Sequence, residues 1–282
     1  MSGEEKRAAK PVTCPACGLS FRGISAHRIV LWLIAITVAS FIIGFGILAI
    51  SGVSSPVPGT TLSPFRHAVL LSPNTTTIPL GGATAADVRL TLGAGELAVT
   101  GEAPEGALLQ ATVFSREAVW QPEIVQGMAN GTKTIALTDK GHKGKEWFAV
   151  DSPNTWTISL QDQVPTRLDV SVGGGNNRLY LGTLNLETLT VHTGAGDTEI
   201  DLAGYHGGRF DATVKNGVGD LTLRVPKDSN TRVRVHSGIG DVSPQGFVVE
   251  DGTYVTAGFD RSRAVNEIAL DQGVGSITLE TI

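Results

Sequence analysis

Cysteine is almost missing from this 282-residue chain: Cys14 and Cys17 are the only two. Three positions apart, they cannot build a disulfide framework. Charge is also sparse, at 17% of residues, which argues against coiled coils and helical bundles, whose surfaces are laced with ion pairs. Basic residues (22) are outnumbered by acidic ones (27), for a net charge of −5. A nucleic-acid partner is therefore not expected, because such proteins carry a basic stripe. Glycine, in contrast, is plentiful: 35 residues, where the usual share is about 7%. No G-X-Y period accompanies it, so the chain is not collagen-like. Hydrophobic residues make up 41%, too many for wholesale disorder.

Long apolar runs are confined to one place. Residues 29–50, IVLWLIAITVASFIIGFGILAI, carry no charge and would span about 33 Å as a helix, enough to cross a bilayer core. Before this run stand Lys6, Arg7, Lys10, Arg22 and Arg28 against Glu4 and Glu5; the first basic residue after it is Arg66. The positive-inside rule places residues 1–28 in the cytoplasm and the acidic bulk outside. A cleaved signal peptide would have a shorter apolar region, of about 7–15 residues. The expectation is a single-pass protein of the bacterial cytoplasmic membrane, in contact with the lipid bilayer. Ala35/Ala39 and Ser40/Gly44 are small-xxx-small pairs that would let two such helices approach, so a homodimer through the helix is a further expectation. Residues 51–64, SGVSSPVPGTTLSP, read as a tether.

The cytoplasmic tail contains CPACG at 14–18. Two thiolates across a tight turn form half of a zinc ribbon, and a reducing cytosol favours metal over disulfide. A closed site needs four ligands. Zinc held by Cys14 and Cys17 thus requires two chains sharing one ion or a partner supplying the missing ligands; His27 is a weak third candidate, and an empty knuckle is the remaining reading.

Beyond residue 85 one pattern recurs: alternating apolar residues, G-x-G, a polar residue, then alternation again. It appears as VRLTLGAGELAV (88–99), LDVSVGGGNNRL (168–179), LTVHTGAGDTEI (189–200), ATVKNGVGDLTL (212–223), VRVHSGIGDV (233–242) and IALDQGVGSITL (268–279). The second glycine falls at 95, 175, 196, 219, 240 and 275. Spacing of about 20–25 residues signals a solenoid. Period-two alternation puts Leu189/Val191, Ala212/Val214, Val233/Val235 and Ile268/Leu270 on one face, with Leu221/Leu223 and Ile277/Leu279 following the corner. The last, longer step leaves room for a hairpin around GFVVEDGTYVTAGF. The fold class predicted is all-β: a β-solenoid ectodomain preceded by one transmembrane helix. Residues 65–160 are expected to supply its N-terminal β layers, from strands at 108–114, 132–138, 146–150 and 155–160, and residues 161–282 the G-x-G repeats. A β-sandwich is the rival.

The segments LTLGAGELAVTG (90–101), QPEIVQ (121–126), NTWTISL (154–160) and the run from LDVSVGGG to GVGSITLE (168–280) together resemble the toast-rack and LiaF-like membrane proteins of bacteria, within the broader adhesin-type β-solenoids. The resemblance implies an N-terminal membrane segment or zinc-ribbon-like start joined to this ectodomain, and, for LiaF-like members, restraint of a cell-envelope stress histidine kinase. It supplies no catalytic residues. This chain departs from LiaF-type regulators in having one apolar span rather than several, and half a ribbon rather than a whole one.

Chemistry was sought residue by residue. Asp197, Asp220 and Asp241 share the position after G-x-G and would form a column; the calcium-binding repeats need GGxGxD, so hydrogen bonding to turn amides is the better reading. His192, Lys215 and His236 share the position two before the first glycine. Consecutive stacking would put the histidines two layers, about 10 Å, apart, too far for one metal ion. No nucleophile elbow or phosphate loop is present, and nothing singles out Glu199, Asp201 or Asp211 as a carboxylate pair. Trp147 and Trp156 read as core, with a sugar platform as the sharper alternative. The chain is expected to be no enzyme. The leading function is a membrane-anchored envelope interaction module whose partner is a membrane protein such as a sensor kinase; the alternatives are a surface adhesin binding cell-wall or surface glycan, or a self-assembling solenoid.

Overall fold

The computed structural model describes residues 12–13, 20–21, 73–115, 121–139 and 154–282. The chain divides into two compact units, Met1–His67 and Ala68–Ile282. In the first, β1 (Val12–Thr13) pairs antiparallel with β2 (Ser20–Phe21), Val12 opposite Phe21 and Thr13 opposite Ser20. Cys14, Cys17, His27 and the apolar run 29–50 lie outside the described residues, as do Trp147 and the strand expected at 146–150. Among the described residues no helix is long and apolar enough to cross a membrane.

The second unit is all β. Its strands begin with β3 (Asn74–Pro79), β4 (Ala85–Ala94), β5 (Glu96–Thr100), β6 (Ala107–Ser115), β7 (Glu123–Ala129), β8 (Thr132–Thr138) and β9 (Asn154–Leu160). The repeats follow as strand pairs around their corners: β10/β11 (Thr166–Gly174, Asn177–Tyr180), β12/β13 (Leu186–Ala195, Thr198–Asp201), β14/β15 (Asp211–Val218, Leu221–Val225) and β16/β17 (Thr231–Ile239, Val242–Gln245). A hairpin, β18 (Phe247–Glu250) and β19 (Thr253–Thr256), precedes the last pair, β20/β21 (Asn266–Val274, Ile277–Thr281). The first strand of each repeat joins a ten-stranded front sheet and the second a nine-stranded back sheet. Neighbouring repeats pair in parallel, in register along both sheets. The two-sheet β-solenoid expected from the repeats is thus the architecture of this unit.

The stacking order is not the chain order. Along the front sheet the strands run β18, β19, β16, β20, β14, β12, β10, β4, β8, β7. The last repeat is inserted between β14/β15 and β16/β17, and β8/β9 sit outside β4/β5. The insertion is physically cheap because every layer presents the same backbone register and the same alternation, so any repeat fits beside any other.

The core lies between the sheets. Val88, Leu90, Val170, Leu189, Val191, Val214, Leu270 and Leu279 are all buried there, each contributing about 1.5–3 kcal/mol of transfer free energy. Trp156, fully buried, donates its Nε1–H to Asn154 Oδ1 at 3.0 Å, so the core reading of this residue holds. The expected strands at 108–114, 132–138 and 155–160 are β6, β8 and β9. Two hairpins turn on Asn130–Gly131 (φ 51° and 77°) and Asp251–Gly252 (φ 48° and 72°), the double positive-φ turn that suits twisted antiparallel strands. Val235, Val242, Phe247 and Tyr254 are only partly buried against the core, where the layers end.

Candidate functional site

The G-x-G corners build a long surface feature on the front sheet. In each layer the first glycine follows an inward residue and so faces outward on the front sheet. A Cβ at Gly173 would run into the carbonyl oxygen of Gly93; the same holds for Gly194 on Gly173, Gly217 on Gly194, Gly273 on Gly217 and Gly238 on Gly273. The second glycine turns the chain with φ between 122° and 145° and stacks in the same way, Gly219 on Gly196 and Gly275 on Gly219. Two glycine columns therefore run along the solenoid, and no side chain fits in either.

The first column floors a trough of about 890 Å³ that crosses six layers. Its wall is the stripe two residues before each first glycine. In spatial order this stripe reads Thr91, Ser171, His192, Lys215, Asp271 and His236. The sequence places His192, Lys215 and His236 on one stripe, and the structure agrees; it also seats Asp271 between Lys215 and His236. The inserted repeat thus puts the two histidines three layers apart, about 14 Å, rather than the two layers of consecutive stacking. On the other side of the floor, the middle residues of the corners form a row that grows more apolar toward one end: Ala94, Gly174, Ala195, Val218, Val274 and Ile239. Ile239 is 70% exposed and Val218 53%.

Beneath the floor the corner is polar. Asn177 donates to Thr193 and Thr198 (3.3 and 3.4 Å), and Asn216 donates to Gln272 (3.1 Å), whose amide reaches the carbonyl oxygens of Gly219 and Val274. Sequence reasoning passed over this ladder. Its signal was a polar residue at the last inward position of four repeats, Thr193, Asn216, Ser237 and Gln272.

The aspartate column behaves as hydrogen-bond acceptors at the turns. Asp197 Oδ1 accepts the N–H of Asp220 at 2.9 Å, and Asp220 Oδ1 accepts that of Ser276 at 2.9 Å. Each carboxylate tethers the next layer. Asp241 does not adjoin Asp220, because Ser276 of the inserted repeat stands between them. Among the described residues no group of three or more His, Cys, Asp or Glu could hold a metal ion.

Glu199, Asp201 and Asp211 do not converge. Asp211 lies on the front sheet, 3.2 Å from Arg209. Glu199 and Asp201 lie on the back sheet around Arg224, which also bonds Glu280 at 2.8 Å. The hydrogen bonds that Arg224 donates to Glu280, and then to Glu199, raise the guanidinium pKa above its usual value. His206 sits on the connector after β13 and is exposed.

The family model for the N-terminal domain of toast_rack, DUF2154, matches residues 71–224. Among solved structures, a putative cell adhesion protein from Clostridium sporogenes superposes with a TM-score of 0.69 at 25% identity, covering 75% of this chain and 99% of its own. A putative adhesin from Bacteroides fragilis matches at 12% identity and a TM-score of 0.29, over 74% of this chain and 97% of its own. A comparison with curated proteins found no match.

Proposed function

We propose, on the footing that this chain belongs to the toast-rack family, that it is a non-catalytic interaction module of the cell envelope. Residues 29–50 anchor it in the bacterial cytoplasmic membrane, residues 1–28 face the cytoplasm, and residues 51–64 tether the β-solenoid outside. The trough along the first-glycine column is its recognition surface. The partner is an extracytoplasmic segment of another membrane protein, of the sensor-kinase class that the LiaF resemblance implies. The Cys14/Cys17 knuckle is the part of the chain that would hold zinc.

One observation carries this reading. The trough is continuous over six layers, floored by glycine backbone and edged by the stripe from Thr91 to His236, and the surface it exposes is mostly apolar, so it offers an extended chain a long contact over a largely preformed floor. The similarity to a protein described as taking part in cell adhesion supports a surface role.

The test places a photo-crosslinking residue at Lys215, on the trough, or at Thr222, on the back sheet, of the full-length protein in its native membrane. Expected is an adduct with an integral membrane kinase from position 215 alone, lost when His192 and His236 are changed to Ala. Cell-wall material or self-adducts from both positions would sink the reading.

A further inference from the structure

The back sheet carries a second recess, separate from the trough. Its outward row, taken across the layers, runs Ser159, Thr100, Tyr180, Asp201 and Arg224. Just beyond this row the chain turns through Gly101, Gly182 and Ala203. A Cβ at Gly182 would strike the Ala203 carbonyl oxygen, and one at Gly101 would strike Thr183 Oγ1. This small-residue column leaves a hollow of about 490 Å³, with Tyr180, Glu102, Thr183 and Asp201 around it.

The chain has three tyrosines. Tyr205 is buried, with its ring edge-on to Phe210 at 4.9 Å, and Tyr254 packs against the core. Tyr180 alone is exposed, at 42%. Among the described residues its hydroxyl has no hydrogen-bond partner. Around it are three hydroxyls and two carboxylates. Thr100 and Ser159 bond each other at 3.2 Å. Asp201 is fixed by the Ala203 N–H at 2.7 Å and stands 3.8 Å from Arg224. Glu102 projects from a positive-φ position (64°), a conformation that non-glycine residues rarely adopt.

The geometry points to a binding subsite for an uncharged pyranose at Tyr180. An exposed aromatic face offers apolar contact to the C–H face of a sugar ring while its edge stays wet. Ionised carboxylates accept hydrogen bonds, up to about four between their two oxygens, and threonine and serine hydroxyls both donate and accept. Vicinal sugar hydroxyls need that combination. An anionic ligand is disfavoured by Glu102 and Asp201. A cationic one is the rival: Arg224, shared with Glu199 and Glu280, offsets Asp201 only in part, but the hydroxyl-rich side gives an ammonium little to bind. Strand register fixes one side of the hollow, through Ser159, Thr100, Tyr180 and Asp201, and the turns at Gly101–Glu102, Gly182–Thr183 and Ala203 close the other. The hollow shares no residue with the trough, so it stands or falls separately from the function proposed above.

The experiment titrates the full-length protein, in micelles of a polyoxyethylene detergent that contains no sugar, with cellotetraose, tetra-N-acetylchitotetraose and maltotetraose. Tetralysine serves as the cationic probe. Expected is saturable binding of at least one tetrasaccharide with a Kd in the range of about 0.1–5 mM. Tyr180→Ala should weaken it at least tenfold, Tyr180→Trp should retain it, and Lys215→Ala should leave it unchanged. Because Tyr180 is exposed, the Ala variant should keep the parent melting temperature, which is checked alongside. Absence of binding to all three sugars would overturn the proposal. So would binding that survives Tyr180→Ala, or salt-sensitive binding of tetralysine in place of sugar.

Discussion

The glycines of the corners and those of the hairpins do different jobs, and substitution separates them. Gly219 combines a φ of 129° with a close approach to the Gly196 carbonyl oxygen, whereas Gly252 has a φ of 72° and open space around its Cβ position. Gly219→Ala is therefore expected to cost about 3 kcal/mol through strain and displaced backbone, and Gly252→Ala only about 1 kcal/mol. Pulse proteolysis of the full-length protein across a urea series reads both, and equal losses would contradict the stacking. At the second hairpin, Arg261 bonds Asp251 and Glu250 at 2.6 and 3.0 Å. The Arg261 hydrogen bond holds the Asp251 carboxyl below its usual range. A depressed carboxyl stabilises the fold above its unfolded-state pKa of about 3.9, and that contribution is lost as pH falls through the folded-state value. Arg261→Ala should move the Asp251 midpoint upward in an NMR-detected titration; an unmoved midpoint would show that the pair is not formed in solution.

Each element is shaped by its alternation, and that is where the sequence was most readable. The inward positions of β10, β12, β14 and β20 follow the period-two pattern and are buried as it demands. The G-x-G corners follow from the backbone freedom of glycine. Asn130–Gly131 is a standard hairpin signal legible in the sequence, and it turns β7 into β8. What could not be read was which repeat lies beside which. Nothing in IALDQGVGSITL distinguishes an end layer from an inner one, since register and alternation are the same in all repeats. Asp271 shares the stripe position by sequence, but its place between Lys215 and His236 comes only from that insertion. The Tyr180 recess was also hidden, because its members come from β5, β9, β11, β13 and the turns after them, and no local spacing links them.

At the scale of the whole β-solenoid, the inserted pair β20/β21 joins the β16–β19 end to the rest. Removing residues 265–282 should therefore uncouple that end. Hydrogen exchange is expected to show 231–256 losing protection while β10–β15 keep theirs. If 231–256 stayed protected, β16 would have closed directly onto β14, and the repeats would be interchangeable in the folded state as well as in pattern. The end itself discourages further growth: β17 carries Pro244, which has no N–H to offer a neighbour, as suits an edge strand. The same insertion sets a clock on biogenesis. Chains emerge at about 5–20 residues per second, so the repeat at Gly240 appears some 2–7 seconds before the repeat at Gly275 that must lie beneath it. During that interval the β14/β15 layer has two candidate neighbours, an early wrong one and a late right one. The Asp251–Gly252 hairpin and the following loop fall within that delay, and they lengthen the wait that a correctly ordered stack requires.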